Sequence, residues 1–141
     1  MKRILALIIF CSIFLIACPP LPWHTAFSKI EYEAFSRGAS EYILVEQGQI
    51  KYVENRQDTI SKPLKKKHYK ELYEFLKDLE LSSLETLEVP STRHQTDAAL
   101  AASLAITDKD QNEYVTPTFD DDNPPQEIKE LVAYLKGLTK E

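Results

Sequence analysis

Cysteine is nearly absent. The 141 residues hold two, Cys11 and Cys18, and both lie in the first eighteen positions. A chain cut just before Cys18 keeps one cysteine, so it can form no internal disulfide. Glycine is as scarce. Gly38, Gly48 and Gly137 are the only three. No loop can wrap a phosphate with consecutive glycine amides, and no dinucleotide-binding glycine pattern exists. The three histidines, His24, His68 and His94, are too scattered to suggest a shared zinc site. Basic charge is in deficit, with 17 Lys+Arg against 22 Asp+Glu and a net charge of −5. That excludes the basic footprint of a nucleic-acid binder. The length suits one domain and no more. Aromatic and branched residues are too plentiful for a disordered chain.

What is present begins with an address. Lys2-Arg3 forms a positive start, and residues 4–16 are almost wholly apolar. This is the layout of an export signal. An apolar helix of about 15 residues measures about 22 Å, short of the roughly 30 Å hydrocarbon core. Leu15-Ile16-Ala17-Cys18 resembles a bacterial lipobox, in which the signal is removed before a lipidated cysteine. The expectation is a signal peptide over 1–17 and lipidation at Cys18. The alternatives are an uncleaved anchor helix and an ordinary secretory signal. Loss of Lys2 and Arg3 leaves 15 basic and 22 acidic residues, so the mature charge is −7 over 124 residues. Pro19 follows Cys18, not the aspartate of an inner-membrane retention signal. The expected location is therefore the periplasmic face of an outer membrane, or the outer face if there is one membrane.

Residues 18–26 read as a proline-stiffened tether, from Pro19, Pro20 and Pro22. The domain is expected over 27–141. Ile30, Tyr32 and Ala34 alternate with Lys29, Glu31 and Glu33, the period of a half-buried strand. Strands at 42–46 and 49–55 flank Gln47-Gly48 as a hairpin. Residues 56–62 either prolong the ladder or loop out. A helix is expected over 66–79, with Tyr69, Leu72, Tyr73, Leu76 and Leu79 on one face. Residues 98–107 are rich in alanine, which favours helix. The turn residues 108–112 and the strand-like Tyr114-Val115-Thr116 favour a strand hairpin instead. Its small odd residues, Ala99, Ala101, Ser103 and Ala105, would let a helix lie close to the sheet. Asn123 reads as the N-cap of a final helix, with Pro124 at its first position. The order is β-β-β-α-β-β-α, an α+β two-layer domain with an antiparallel sheet and two helices on one face.

Several residue groups are candidates for chemistry. Ser91, His94 and Asp97 hold the residue types of a hydrolytic triad, yet no nucleophile elbow accompanies them and seven positions on one loop rarely give the geometry. A polar loop is the plainer reading, so catalysis is not expected. Asp120, Asp121 and Asp122 offer oxygens suited to Ca²⁺, without the spacing of an EF-hand. Capping and the macrodipole of the next helix already explain acids there, so no metal site is expected. No cofactor is expected. Lys65, Lys66 and Lys67, with Lys62 and Lys70, form a basic cluster where the macrodipole of a helix start prefers negative charge. They either form a solvated face or touch anionic lipid or an acidic partner. Arg37, and Arg93 with Asp97, are exposed-loop candidates for partner contact or for ion pairs that fasten loop to sheet.

Ser36-Arg37-Gly38 before a hairpin, Arg93 and Asp97 before an alanine-rich strand, and Phe119-Asp120 with Asn123-Pro124-Pro125 before the last helix are the residues of a resemblance. From about Phe35 to Leu138 the chain resembles small bacterial lipoproteins of a single α+β domain. That resemblance implies a fold and an envelope location, and no activity. The function expected is a lipid-anchored, non-enzymatic binding module, monomeric, facing another envelope protein or the cell wall. The competing expectations are a periplasmic enzyme inhibitor or sensor and, further off, a hydrolase.

Overall fold

The alternation at residues 29–35 builds β1 (Lys29–Phe35), with Ile30, Tyr32 and Ala34 buried and Glu33 and Phe35 exposed. This computed structural model describes residues 27–141. The expected signal peptide, the Cys18 lipidation site, the tether, Trp23 and His24 all lie outside the described residues. Among the described residues no helix is long and apolar enough to cross a membrane.

β1 pairs antiparallel with β2 (Ser40–Glu46), and β2 with β3 (Gln49–Glu54). The β2–β3 turn has positive φ at both Gln47 and Gly48, the twist that matches a two-residue hairpin. A Cβ on Gly48 would also meet the Tyr69 hydroxyl at 3.1 Å. β4 (Ile60–Pro63) continues the ladder on β3, so of the stretch 56–62 residues 60–62 pair and residues 56–59 loop out. β5 (Ala101–Thr107) lies on the other side of β1, followed by β6 (Glu113–Val115). β7 (Phe119–Asp120) adds two residues to β5 and was not expected. The sheet runs β4-β3-β2-β1-β5-β6, all pairs antiparallel. With α1 (Lys66–Leu76) and α2 (Lys129–Leu138), the class is α+β.

Several expectations are corrected. β5 starts at Ala101, not Ala98, because residues 97–100 close a preceding 3-10 turn through the left-handed Asp97. Its small odd residues receive no helix. Ala102, Leu104 and Ile106 join the core with the helices, while Ala101, Ser103 and Ala105 stay half-exposed. The last helix begins at Lys129, not near Asn123. Pro125 forces the residue before it out of the helical region, so Pro124 cannot open a helix. Both prolines are buried, and Asn123 serves elsewhere.

α1 stops at Leu76, short of the expected Leu79, whose amide bonds to the Leu76 carbonyl at 3.2 Å and whose side chain packs against the core. Its buried residues are His68, Leu72 and Leu76. His68 takes a place expected of an apolar residue because the Tyr134 hydroxyl of α2 meets its Nδ1 at 2.7 Å. A buried polar group is tolerable when so partnered. A 3-10 turn at Leu81–Thr86 seats Leu84 fully in the core.

Candidate functional site

Two ends of the sheet differ in chemistry. At one end β1 begins at Lys29, opposite Glu46 and Thr107. At the other it finishes at Phe35, opposite Ser40 and Ala101. This second end gathers the β1–β2 turn, the β3–β4 turn, the 3-10 turn Arg93–Thr96 and β7. We call it the rim.

Asp120 organises the rim from inside, with 0% of its surface exposed. One carboxylate oxygen accepts the Ser91 hydroxyl at 2.6 Å and the Arg93 amide at 2.9 Å. The other accepts the His94 amide at 2.8 Å and the His94 ring Nδ1 at 2.6 Å. Arg93 Nε lies 3.4 Å from the first oxygen. The opening amides of a helical turn lack partners within it, and here the carboxylate supplies them. Asn123 adds a bond from its side-chain amide to Ser91 Oγ at 2.9 Å. Burial by itself would raise the Asp120 carboxyl. The Ser91 hydroxyl, the His94 and Arg93 amides and the His94 ring outweigh burial and hold it well below the usual carboxylate range.

The sequence singles out Ser91, His94 and Asp97. The structure brings the first two together on Asp120 and sends Asp97 elsewhere. A hydrolytic triad needs the serine hydroxyl on the histidine. Here serine and histidine both donate to the carboxylate, with the acid in the centre, so the geometry ties loops together. Asp97 faces the Arg37 Nε at 3.4 Å, and Arg37 is 91% exposed. Arg93 pairs with Asp122 rather than with Asp97. Both ion pairs fasten loops, but with partners the sequence does not indicate.

The three consecutive acids diverge. Asp120 faces Ser91, Arg93 and His94, and Asp122 faces Arg93. Asp121 accepts the Tyr32 hydroxyl and lies 2.5 Å from Lys136 Nζ. Lys136 also reaches Glu41 at 3.2 Å and sits 5.6 Å over the Tyr32 ring. Burial first, then the bond to Asp121, pushes the Tyr32 phenol far above its ordinary range. Burial depresses the Lys136 ammonium, but Asp121 and Glu41 more than offset it and raise it. Among the described residues no group of three or more His, Cys, Asp or Glu forms a metal-sized cluster.

The rim also carries an open cleft of about 370 Å³, lined by Phe35, Arg37, Ser40, Asn55 and Arg56 among others. Phe35 is 56% exposed. Arg56 has φ +59°, a backbone region that costs a non-glycine residue roughly 1 kcal/mol. The Gln57 amide closes this turn on the Glu54 carbonyl at 3.0 Å. Arg56 and Lys136 belong to no sequence motif. The acid run is the one signal for Asp120, and it does not tell a buried anchor from a surface acid.

Lys65, Lys66 and Lys67 lie at the opposite end, because the Leu64 amide bonds to the Gly48 carbonyl at 2.8 Å and Pro63 pairs with Gln49. Compared with protein-family models, curated proteins and solved structures, the chain matches none.

Proposed function

We propose that the chain is a lipid-anchored binding domain of the cell envelope, held by Cys18 and offering its rim to another envelope protein or to the cell wall. One observation carries this reading. The chain enters the described domain at Phe27 and Ser28, at the start of β1, whereas the arginine-lined cleft sits past its end. Seven strand residues separate the two by about 20 Å. An anchor at Cys18 would leave the cleft facing away from the membrane. The exposed Phe35 beside Arg37 and Arg56 suits a partner that combines an apolar contact with carboxylates. The location proposed is the periplasmic face of an outer membrane, on the ground that Pro19 follows Cys18.

The fold proposed for this role is two-layered, with both helices covering one sheet face. Its support is that the buried alternate residues of β1, β2, β3 and β5 share one core with the buried residues of α1 and α2. The hydrolase reading loses ground because the Ser91 hydroxyl is committed to Asp120.

The test is site-specific photo-crosslinking in the native host. A crosslinker at Gly38 or Arg56 should give a discrete protein or peptidoglycan adduct, and one at Gln111 at the other end should not. A Cys18→Ala variant should leave the membrane fraction. Absence of any rim adduct, or full membrane retention of the Cys18→Ala variant, would count against the reading.

A further inference from the structure

α1 carries a stripe of lysine and tyrosine beside the point where the anchored segment joins the domain. Lys66, Tyr69, Lys70 and Tyr73 follow at helical spacing, so they share one side of the helix. Lys65 precedes them. Lys65, Lys66 and Lys70 are exposed and make no ion pair among the described residues, whereas Lys67 is turned to Glu141 at 3.4 Å. Tyr69 and Tyr73 are half-buried. Tyr69 and Gly48 line one cleft together with Phe27 and Ser28, which fixes the stripe next to the chain's entry. α1 starts after β4 at one edge of the sheet, and the 3-10 turn that follows it packs on β6 at the other. The helix therefore crosses the sheet at the entry end.

We infer that this stripe lies against anionic phospholipid headgroups of the leaflet that holds the anchor. The inference rests on the lipid-anchored reading of Cys18. Residues 19–26 let Cys18 stand at most about 30 Å from Phe27, and the proline-rich stretch shares that limit. The stripe thus stays near the membrane surface. Lysine stems cover apolar surface while their ammonium groups reach phosphates, and tyrosine rings favour the headgroup level. The contact acts within a Debye length of about 8 Å. It explains why a helix start, where negative charge is favoured, carries lysines and no acid in its first turn. Acid lies close to the stripe. Glu46 lines the cleft it shares with Tyr69, and Glu141 and Glu74 face Lys67 and Lys77. The lysines that face no carboxylate within 4 Å among the described residues, Lys65, Lys66 and Lys70, are the ones left for phosphate. Asp108, Asp110 and Glu113 of the β5–β6 turn share the entry end but lie beyond β5, across β1 from β4. Their repulsion tilts the domain so that the α1 side approaches the lipid.

The test uses the full lipidated protein in vesicles, with Cys18 acylation read by mass spectrometry. A benzophenone amino acid replaces Tyr73 or, as the rim control, Phe35. In vesicles containing phosphatidylglycerol the Tyr73 position should form a phospholipid adduct about tenfold more than in phosphatidylcholine alone, as lysine contacts of this kind predict. The Phe35 position should form none. Lys65→Glu, Lys66→Glu and Lys70→Glu together should abolish the difference. The three glutamine replacements, which keep the helix start free of repulsion, should reduce it. Equal adducts in both vesicle types with Cys18 acylated overturn the stripe and leave the anchor standing. A protein adduct at Tyr73 in native membranes, in place of lipid, assigns the stripe to an acidic partner and also overturns it. An unacylated Cys18 overturns the anchored reading and this inference together.

Discussion

Ser91 donates its hydroxyl proton to Asp120 at 2.6 Å, on the oxygen opposite the one that receives the His94 ring. A serine held this way is a fastener. Asp120→Asn turns one acceptor oxygen into a donor that faces Ser91 and Arg93 or His94. Leaving buried donors unsatisfied costs about 1–3 kcal/mol per group. Asp120→Asn should therefore lower unfolding stability by about 3 kcal/mol, and Ser91→Ala by about 1 kcal/mol. Urea denaturation measures both. A Ser91→Ala loss as large as that of Asp120→Asn would contradict the central place given to the carboxylate.

Acid should attack the same point. The Asp120 carboxyl titrates lower in the fold than its unfolded value of about 3.9. A group depressed on folding contributes stability that is complete above the unfolded pKa and is lost as pH falls through the folded one. The wild type should thus lose stability below about pH 4 more steeply than Asp120→Asn. Denaturation midpoints taken from pH 6 downwards give the comparison, and parallel curves would refute it.

Tyr32, Asp121, Lys136 and Glu41 form a connected group, so their substitutions should not add. Tyr32→Phe removes one bond to Asp121 and should cost about 1 kcal/mol. Lys136→Met leaves Asp121 half-buried without its cation and should cost about 2 kcal/mol. The double variant should differ from the sum by at least about 0.5 kcal/mol. A double-mutant cycle reads this coupling, and strict additivity would mean the group is not one unit.

At the rim, binding and stability should separate. Arg37 is exposed, and its pair with Asp97 is worth less than about 1 kcal/mol. Arg37→Ala should leave the melting point nearly unchanged while weakening the rim crosslink. Arg56→Gly relieves the left-handed backbone but adds freedom to the unfolded chain, so its net effect should stay within about 0.5 kcal/mol. Arg56→Val, with a branched side chain at φ +59°, should cost about 1 kcal/mol or more. Thermal melts and the crosslink yield are read on the same samples.

Local periodicity carries β1, the 42–55 hairpin, the turn at 108–112 and most of α1, because each depends on neighbours a few residues away. The start of α2 defeats it for an equally local reason. Pro125 acts on Pro124, and that outweighs the capping pattern at Asn123. β7 is legible in no pattern of its own. Two residues become a strand only because Ala101 and Ala102 lie alongside.

The candidate site was less legible than the fold. Ser91 and His94 are visible as residue types, and Arg37, Arg93 and Asp97 as loop charges. Their pairings join segments 26 or more residues apart, brought together by strand order. The sequence by itself determined the two strands and turn of the central hairpin, the amphipathic helix and the glycine scarcity that excludes phosphate loops. The tertiary structure alone decided which of three adjacent aspartates is buried, and which end of the sheet holds Arg37 and Arg56 and which holds Lys65, Lys66 and Lys67. Burial and partner choice arise from long-range packing, and no short window of residues contains them.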